Sequence, residues 1–124
     1  MRRREGLVRV RPEQPSIDVR AEPGGAIVLT LIGDHDLATK PSLVAELATL
    51  APDAAVVIDL TRCTFVDSTV IGAILNTRQP DRPRVSLVLP PDTSYVVRAL
   101  SVLGVRDLLP VHPTVEAALE ALER

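Results

Sequence analysis

Aromatic side chains are nearly missing from this chain: Phe65 and Tyr95 are the only two, and there is no tryptophan. Proteins that stack nucleic-acid bases on exposed rings need more than that, so direct nucleic-acid binding is not expected, and the core must be built from Val, Leu, Ile and Ala. With a single cysteine, Cys63, no internal disulfide can form. It falls in what reads as a buried turn, where a lone thiol serves as a small core residue. No apolar run approaches the roughly 18 residues that a membrane span requires, and the first residues lack a signal-peptide core. Neither membrane insertion nor export is therefore expected, and a cytoplasmic location is. Gly24-Gly25 sits in a turn with no lysine-serine after it, so no phosphate-cradling loop supports nucleotide hydrolysis.

What is present is ordinary for one globular domain: 124 residues, 46% apolar and 24% charged. Charge is unevenly placed. Over residues 1–12, Arg2, Arg3, Arg4, Arg9 and Arg11 face Glu5 alone, while the whole chain carries a net charge of −2, so the rest is acidic. Residues 1–14 read as a basic, flexible leader and 15–124 as the folded domain. A basic arm is able to contact an anionic surface, but at this length a solvated leader is the favoured reading.

Ser16 to Arg20 and Ala26 to Ile32 have strand composition, and Glu22-Pro23-Gly24-Gly25 between them is a turn, giving an N-terminal hairpin. Thr39 is an N-cap candidate, Pro41 suits a first helical turn, and Leu43, Leu47 and Leu50 recur at helical spacing, so a helix is expected from about 40 to 51. Ala55 to Leu60 is nearly all apolar, as a central strand covered on both faces should be. A helix from about Ser68 to Arg78 stops before Pro80, and Arg84 to Leu89 is another strand, which predicts parallel pairing. Asp92 or Thr93 would cap a third helix with Val96, Leu100 and Leu103 on its apolar stripe and Gly104 terminating it. Leu108 to Val111 reads as a short strand, and Thr114 opens a last helix with Val115, Ala118, Leu119 and Leu122 on one face.

The most informative stretch is Phe65-Val66-Asp67-Ser68-Thr69-Val70-Ile71-Gly72, where an apolar strand runs straight into a helical pattern. Helical geometry puts Val70, Ile71, Ile74 and Leu75 on one arc and Ser68, Thr69, Gly72, Ala73 and Asn76 on the other. That outward arc of small residues, with a hydroxyl at its start, suits docking better than catalysis. From local sequence alone, Asp67 or Ser68 is explained as a helix cap. Ser68, His35 and Asp36 supply the residue types of a hydrolase triad, but adjacent His and Asp point apart and no nucleophile-elbow glycines flank Ser68. Asp34, His35 and Asp36 do not make a closed ligand set, so no metal is expected. No cofactor is expected either.

Four segments then occur in a telling order: Gly33-Asp34-His35-Asp36-Leu37, Val57-Ile58-Asp59-Leu60-Thr61, Phe65-Val66-Asp67-Ser68-Thr69 and Leu100-Ser101-Val102-Leu103-Gly104-Val105. Over residues 16–122 the chain resembles the anti-sigma factor antagonists of the STAS domain family. The resemblance implies an α/β fold, a single STAS-like domain with a mixed β-sheet, an N-terminal hairpin and about four helices. It implies a regulatory protein with no catalysis of its own, which binds an anti-sigma factor serine kinase and is released when that kinase phosphorylates Ser68, with a phosphatase to reverse the step. Thr69 ranks second as an acceptor. Asp34, Asp36, Asp67, Ser68, Thr69, Gly72, Ala73 and Asn76 form the expected partner face. A phosphate on Ser68 is expected to meet free backbone N–H groups at the helix start and to concentrate negative charge beside Asp67, opposing the partner.

The chain departs from the family pattern in three places. Asp34 replaces a glutamate, Val70 stands where the motif has glycine, and Gln79-Pro80-Asp81-Arg82-Pro83 shortens the helix after the site. A β-branched side chain at position 70 is expected to crowd an approaching partner. The alternative function is a divergent STAS scaffold, as in a stress-signalling assembly or a lipid-transport accessory, without a phosphorylation cycle.

Overall fold

The computed structural model describes residues 14–51, 53–78 and 84–122. The expected basic leader and the turn around Pro80 lie outside the described residues. Strand β1, Ser16–Ala21, pairs antiparallel with β2, Ile27–His35, through a turn closed by a hydrogen bond from Gly25 N–H to the Glu22 carbonyl. Helix α1, Lys40–Ala48, leads to β3, Ala55–Asp59, and β4, Cys63–Val66. Then come α2, Ser68–Leu75, a 3-10 turn, β5, Arg84–Val88, α3, Tyr95–Val102, a second 3-10 turn, β6, Val111–His112, and α4, Val115–Leu122. The sheet order is β1-β2-β3-β5-β6, with β4 pairing β2 off this path. All of its contacts are parallel except the first hairpin.

The fold is thus the expected single α/β domain with a mixed sheet and four helices, and β3 is central. Its two faces are filled by alternating residues, as the period of a strand requires. Leu29, Leu31, Val56, Ile58, Val85 and Leu87 form the larger core with Leu43, Leu47, Val70, Ile71, Ile74, Val96 and Leu100 from α1, α2 and α3. The intervening Val28, Val57 and Val88 meet Ala118, with Val115, Leu119 and Leu122 of α4 packed beside them. Each buried Val, Leu or Ile side chain contributes about 1.5–3 kcal/mol by leaving water, so the large cluster dominates stability.

Several element ends differ from expectation for physical reasons. Helix α1 stops at Ala48, where the Thr49 amide closes the last turn on Glu46 and Leu47. Thr39 precedes α1 but gives it no side-chain cap, because its hydroxyl is taken by the turn before it. The cap of α3 is Ser94, not Asp92 or Thr93, since a turn from Pro91 to Ser94 consumes those residues first. Gly104 does end α3, at φ 71, a left-handed conformation natural to glycine. The expected strand over Leu108–Val111 begins only at Val111, because Leu108 and Leu109 continue the turn that follows the 3-10 segment Val105–Asp107, with Val105 and Leu109 buried.

Two strands exceed what the sequence pattern shows. β2 runs on to His35, and Cys63 belongs to strand β4 rather than to a turn. β2 pairs with β3 as far as Thr30 and with β4 from Gly33 onward, and Gly33, at φ 83, allows the register with β4 to shift before Asp34. Asp34 then lies opposite Phe65, and His35 opposite Val66. This switch brings the loop after β2 against the start of α2.

Candidate functional site

The site is built at the carboxyl ends of β2 and β4. Val66 is buried, Asp67 is extended at φ −102, ψ 176, and α2 begins at Ser68. Asp67 is the cap. Its Oδ1 accepts hydrogen bonds from the amides of Thr69 (3.0 Å) and Val70 (3.1 Å) and from the Thr69 hydroxyl (2.6 Å). Its Oδ2 accepts from the Leu37 amide at 3.0 Å, and its own amide donates to the His35 carbonyl at 3.2 Å. One carboxylate therefore caps a helix and clamps the neighbouring loop. These bonds, the Thr69 hydroxyl foremost, hold the Asp67 carboxyl below its ordinary acidity range against the opposing pull of desolvation.

That arrangement changes the expected surroundings of a phosphate. The amides of Thr69 and Val70 are not free, because Asp67 already occupies them. Ser68 itself is exposed, and its hydroxyl has no hydrogen-bond partner among the described residues. Thr69 differs, since its hydroxyl is engaged by Asp67.

The other predicted site residues divide between two places. Asp36 turns inward on its own loop, accepting from the Ala38 amide at 2.9 Å, and Asp34 is exposed on β2 with the Thr64 hydroxyl donating to it. Thr69, Gly72, Ala73 and Asn76 follow Ser68 in the chain, with Gly72 and Asn76 exposed as Ser68 is and Thr69 half-buried. They line a groove against Lys40, Val44, Leu47 and Ala48 of α1, and Ala73 is buried in the core. Val70 is only 1% exposed, so its side chain fills the core and does not crowd the surface as the sequence led us to expect.

Ser68 opens instead onto a shallow groove of about 460 Å³ between the start of α2 and helix α3. Phe65, Ile71, Tyr95, Arg98, Val102 and Leu103 line it with Asp67. The Phe65 and Tyr95 rings stack with centroids 5.2 Å apart and planes at 18°, which ties α3 to β4. Tyr95, Val102 and Leu103 are nevertheless exposed, an apolar surface beside the hydroxyl. Sequence reasoning missed the contribution of α3. The available signal was that the only two aromatic residues face one another here.

Neither histidine is positioned to activate Ser68. His35 is buried, its Nε2 facing the carbonyls of Ser16 (3.2 Å) and Ile32 (3.0 Å) and its Nδ1 the Thr39 hydroxyl (3.1 Å). Carbonyls only accept, so Nε2 carries a proton, and the ring is a structural bridge between β1 and the loop. His112 lines a separate groove with Thr61, Pro90 and Arg106. Cys63 is buried, with its thiol pushed up to about 11 chiefly by desolvation, as suits an inert core residue. Among the described residues no cluster of His, Cys, Asp or Glu suits a metal ion, and no helix is long and apolar enough to cross a membrane.

Comparison with known proteins agrees with this fold. An anti-sigma factor antagonist from Mycobacterium paratuberculosis superimposes with a TM-score of 0.75 at 24% identity, covering 90% of this chain and 96% of that one. The anti-sigma factor antagonist SpoIIAA in its unphosphorylated form gives 0.69 at 19% identity, with coverages of 87% and 96%. The Bacillus cell fate determinant SpoIIAA in the phosphorylated form gives 0.62 at 18% identity, with coverages of 86% and 99%. Among curated proteins no significant sequence match is found. The family model described as Mlab, STAS domain matches residues 19–110, from within the first hairpin to the end of the segment before β6, and on that match the chain belongs to the STAS domain family.

Proposed function

We propose that this protein is an anti-sigma factor antagonist: it binds an anti-sigma factor serine kinase through the surface around Ser68 and is released when that kinase phosphorylates Ser68. The observation that carries the reading is the exposed Ser68 hydroxyl, set one residue past a cap that leaves it unengaged, beside an exposed apolar groove. The chain contributes a surface and an acceptor and has no catalysis of its own. In the transfer, Ser68 Oγ takes the γ-phosphoryl group of ATP, ADP leaves and the hydroxyl proton is released. The resulting dianion lies beside the Asp67 carboxylate, which no cation among the groove's own α2 residues offsets, and burying both in an interface is costly. A phosphatase would restore the binding form. Such a cycle suits a soluble protein of the cytoplasm, where kinase and sigma factor reside.

A second reading has its own support. Val70 replaces the glycine of the phosphorylated pattern, and the matching family model is described as Mlab, STAS domain. On that reading the same surface holds a partner without a phosphorylation cycle. Incubation with candidate anti-sigma kinases and ATP, read by intact mass, separates the two. One phosphate on the parent and none on Ser68→Ala supports the switch, whereas kinase binding without phosphate supports the scaffold.

A further inference from the structure

Phosphorylation of Ser68 needs a cation nearby if the dianion is to be held in a defined place, and the helix start does not supply the usual donors. The amides of Thr69 and Val70 are already bonded to Asp67. The groove that Ser68 opens onto contains one basic residue, Arg98, from the opposite wall. Helical spacing puts Tyr95, Arg98, Ala99 and Val102 on one side of α3, opposite the buried Val96, Val97 and Leu100. The stacking of Tyr95 on Phe65 fixes that side against β4, three residues before Ser68. Arg98 is exposed and has no ion pair among the described residues.

We infer that Arg98 is the receptor for the phosphate of Ser68, drawing it across the groove from α2 to α3. This rests on the reading of Ser68 as the phosphoacceptor and adds the residue through which the modification acts. Guanidinium matches phosphate with two parallel N–H donors, and a side chain with no ion pair to break has less to lose by turning to it. The bridged phosphate would lie over Ile71 and Val102 and cover the apolar floor that the unmodified protein presents. Modification thereby closes the groove locally, with no rearrangement of the fold.

The charged and titratable groups that face this phosphate are Asp67 from the cap and Arg98 and Tyr95 from α3, with Asp36 behind Asp67 in the loop after β2. Asp67 disfavours the dianion and Arg98 favours it. The test installs phosphoserine at position 68 of the full chain by genetic encoding, so that no kinase is needed, and follows the 31P resonance against pH. Arg98→Gln should raise the second phosphate pKa by about half a unit, and Arg98→Lys should keep most of the parent value. Arg84→Gln, at the far end of β5, serves as the control and should leave it unchanged. A value unmoved by Arg98→Gln, or moved equally by Arg84→Gln, overturns the assignment. If the kinase assay fails while this shift is seen, it is the phosphorylation cycle that fails and not the contact.

Discussion

Two serines stand at the starts of the two helices that flank one groove, and they are used in opposite ways. Ser94 is the cap of α3, and its hydroxyl accepts from the Val96 amide at 3.0 Å. Ser68 is the first residue of α2, one place after its cap, and its hydroxyl bonds to nothing among the described residues. The difference is made by Asp67, whose carboxylate does the capping that a serine does in α3. A hydroxyl spent on backbone amides is poorly available to a kinase, while one displaced by a single position is presented to solvent. An aspartate just before a serine is thus a way to start a helix and leave the serine free.

The contrast is broken most completely by modification. Kinase and ATP should add phosphate to the parent and to Ser94→Ala, and none to Ser68→Ala, as read by intact mass. Ser68→Ala should unfold within about 0.5 kcal/mol of the parent, since an exposed, unbonded hydroxyl contributes little. Modification of Ser94 in place of Ser68 would reverse the assignment.

Restoring the family glycine sharpens the comparison by attacking the other side of the same helical turn. Val70→Gly removes a buried side chain and adds a flexible residue to a helix, and denaturant unfolding should show a loss of about 3 kcal/mol. A neutral outcome would mean that α2 is not anchored through its first turn. Next in size are the caps themselves. Asp67→Ala should cost about 2 kcal/mol and Ser94→Ala about 1 kcal/mol, because Asp67 also holds the Leu37 amide and Ser94 serves one amide only.

The smallest effect separates the caps by pH. Asp67 has its folded pKa depressed below the ordinary 3.8, so its stabilisation is complete above that value and is lost as pH falls through the lower folded one. The stability gap between the parent and Asp67→Ala should therefore narrow under acid, while the gap for Ser94→Ala should not change. Parallel curves for both variants would show that Asp67 acts without its charge.

Much of this was legible in the residues. The apolar run of β3, the helical spacing of α2 and α4, and Gly104 after α3 are local signals, and each emerged where it was expected except that α2 gives way to a 3-10 turn over Asn76–Arg78. The extension of β2 and the existence of β4 were not legible. Gly33-Asp34-His35 is polar and turn-like, and it is strand only because β4 lies alongside it. Likewise the helical wheel put Ser68 and Ala73 on one outward arc, but a wheel knows nothing of neighbours. Packing of α1 against α2 buries Ala73 and leaves Ser68 facing α3.

The sequence by itself determined the fold class, the core composition and the junction at which an aspartate and a serine begin a helix, because hydrophobic period and capping chemistry are properties of a few consecutive residues. Only the tertiary structure decided that Asp67 binds the loop at Leu37 as well as its own helix, that Val70 points into the core, and that Phe65, Tyr95 and Arg98 meet beside Ser68. Those contacts join residues 30 positions apart in sequence, across the β2–β4 pairing and between α2 and α3, and no local rule carries that information.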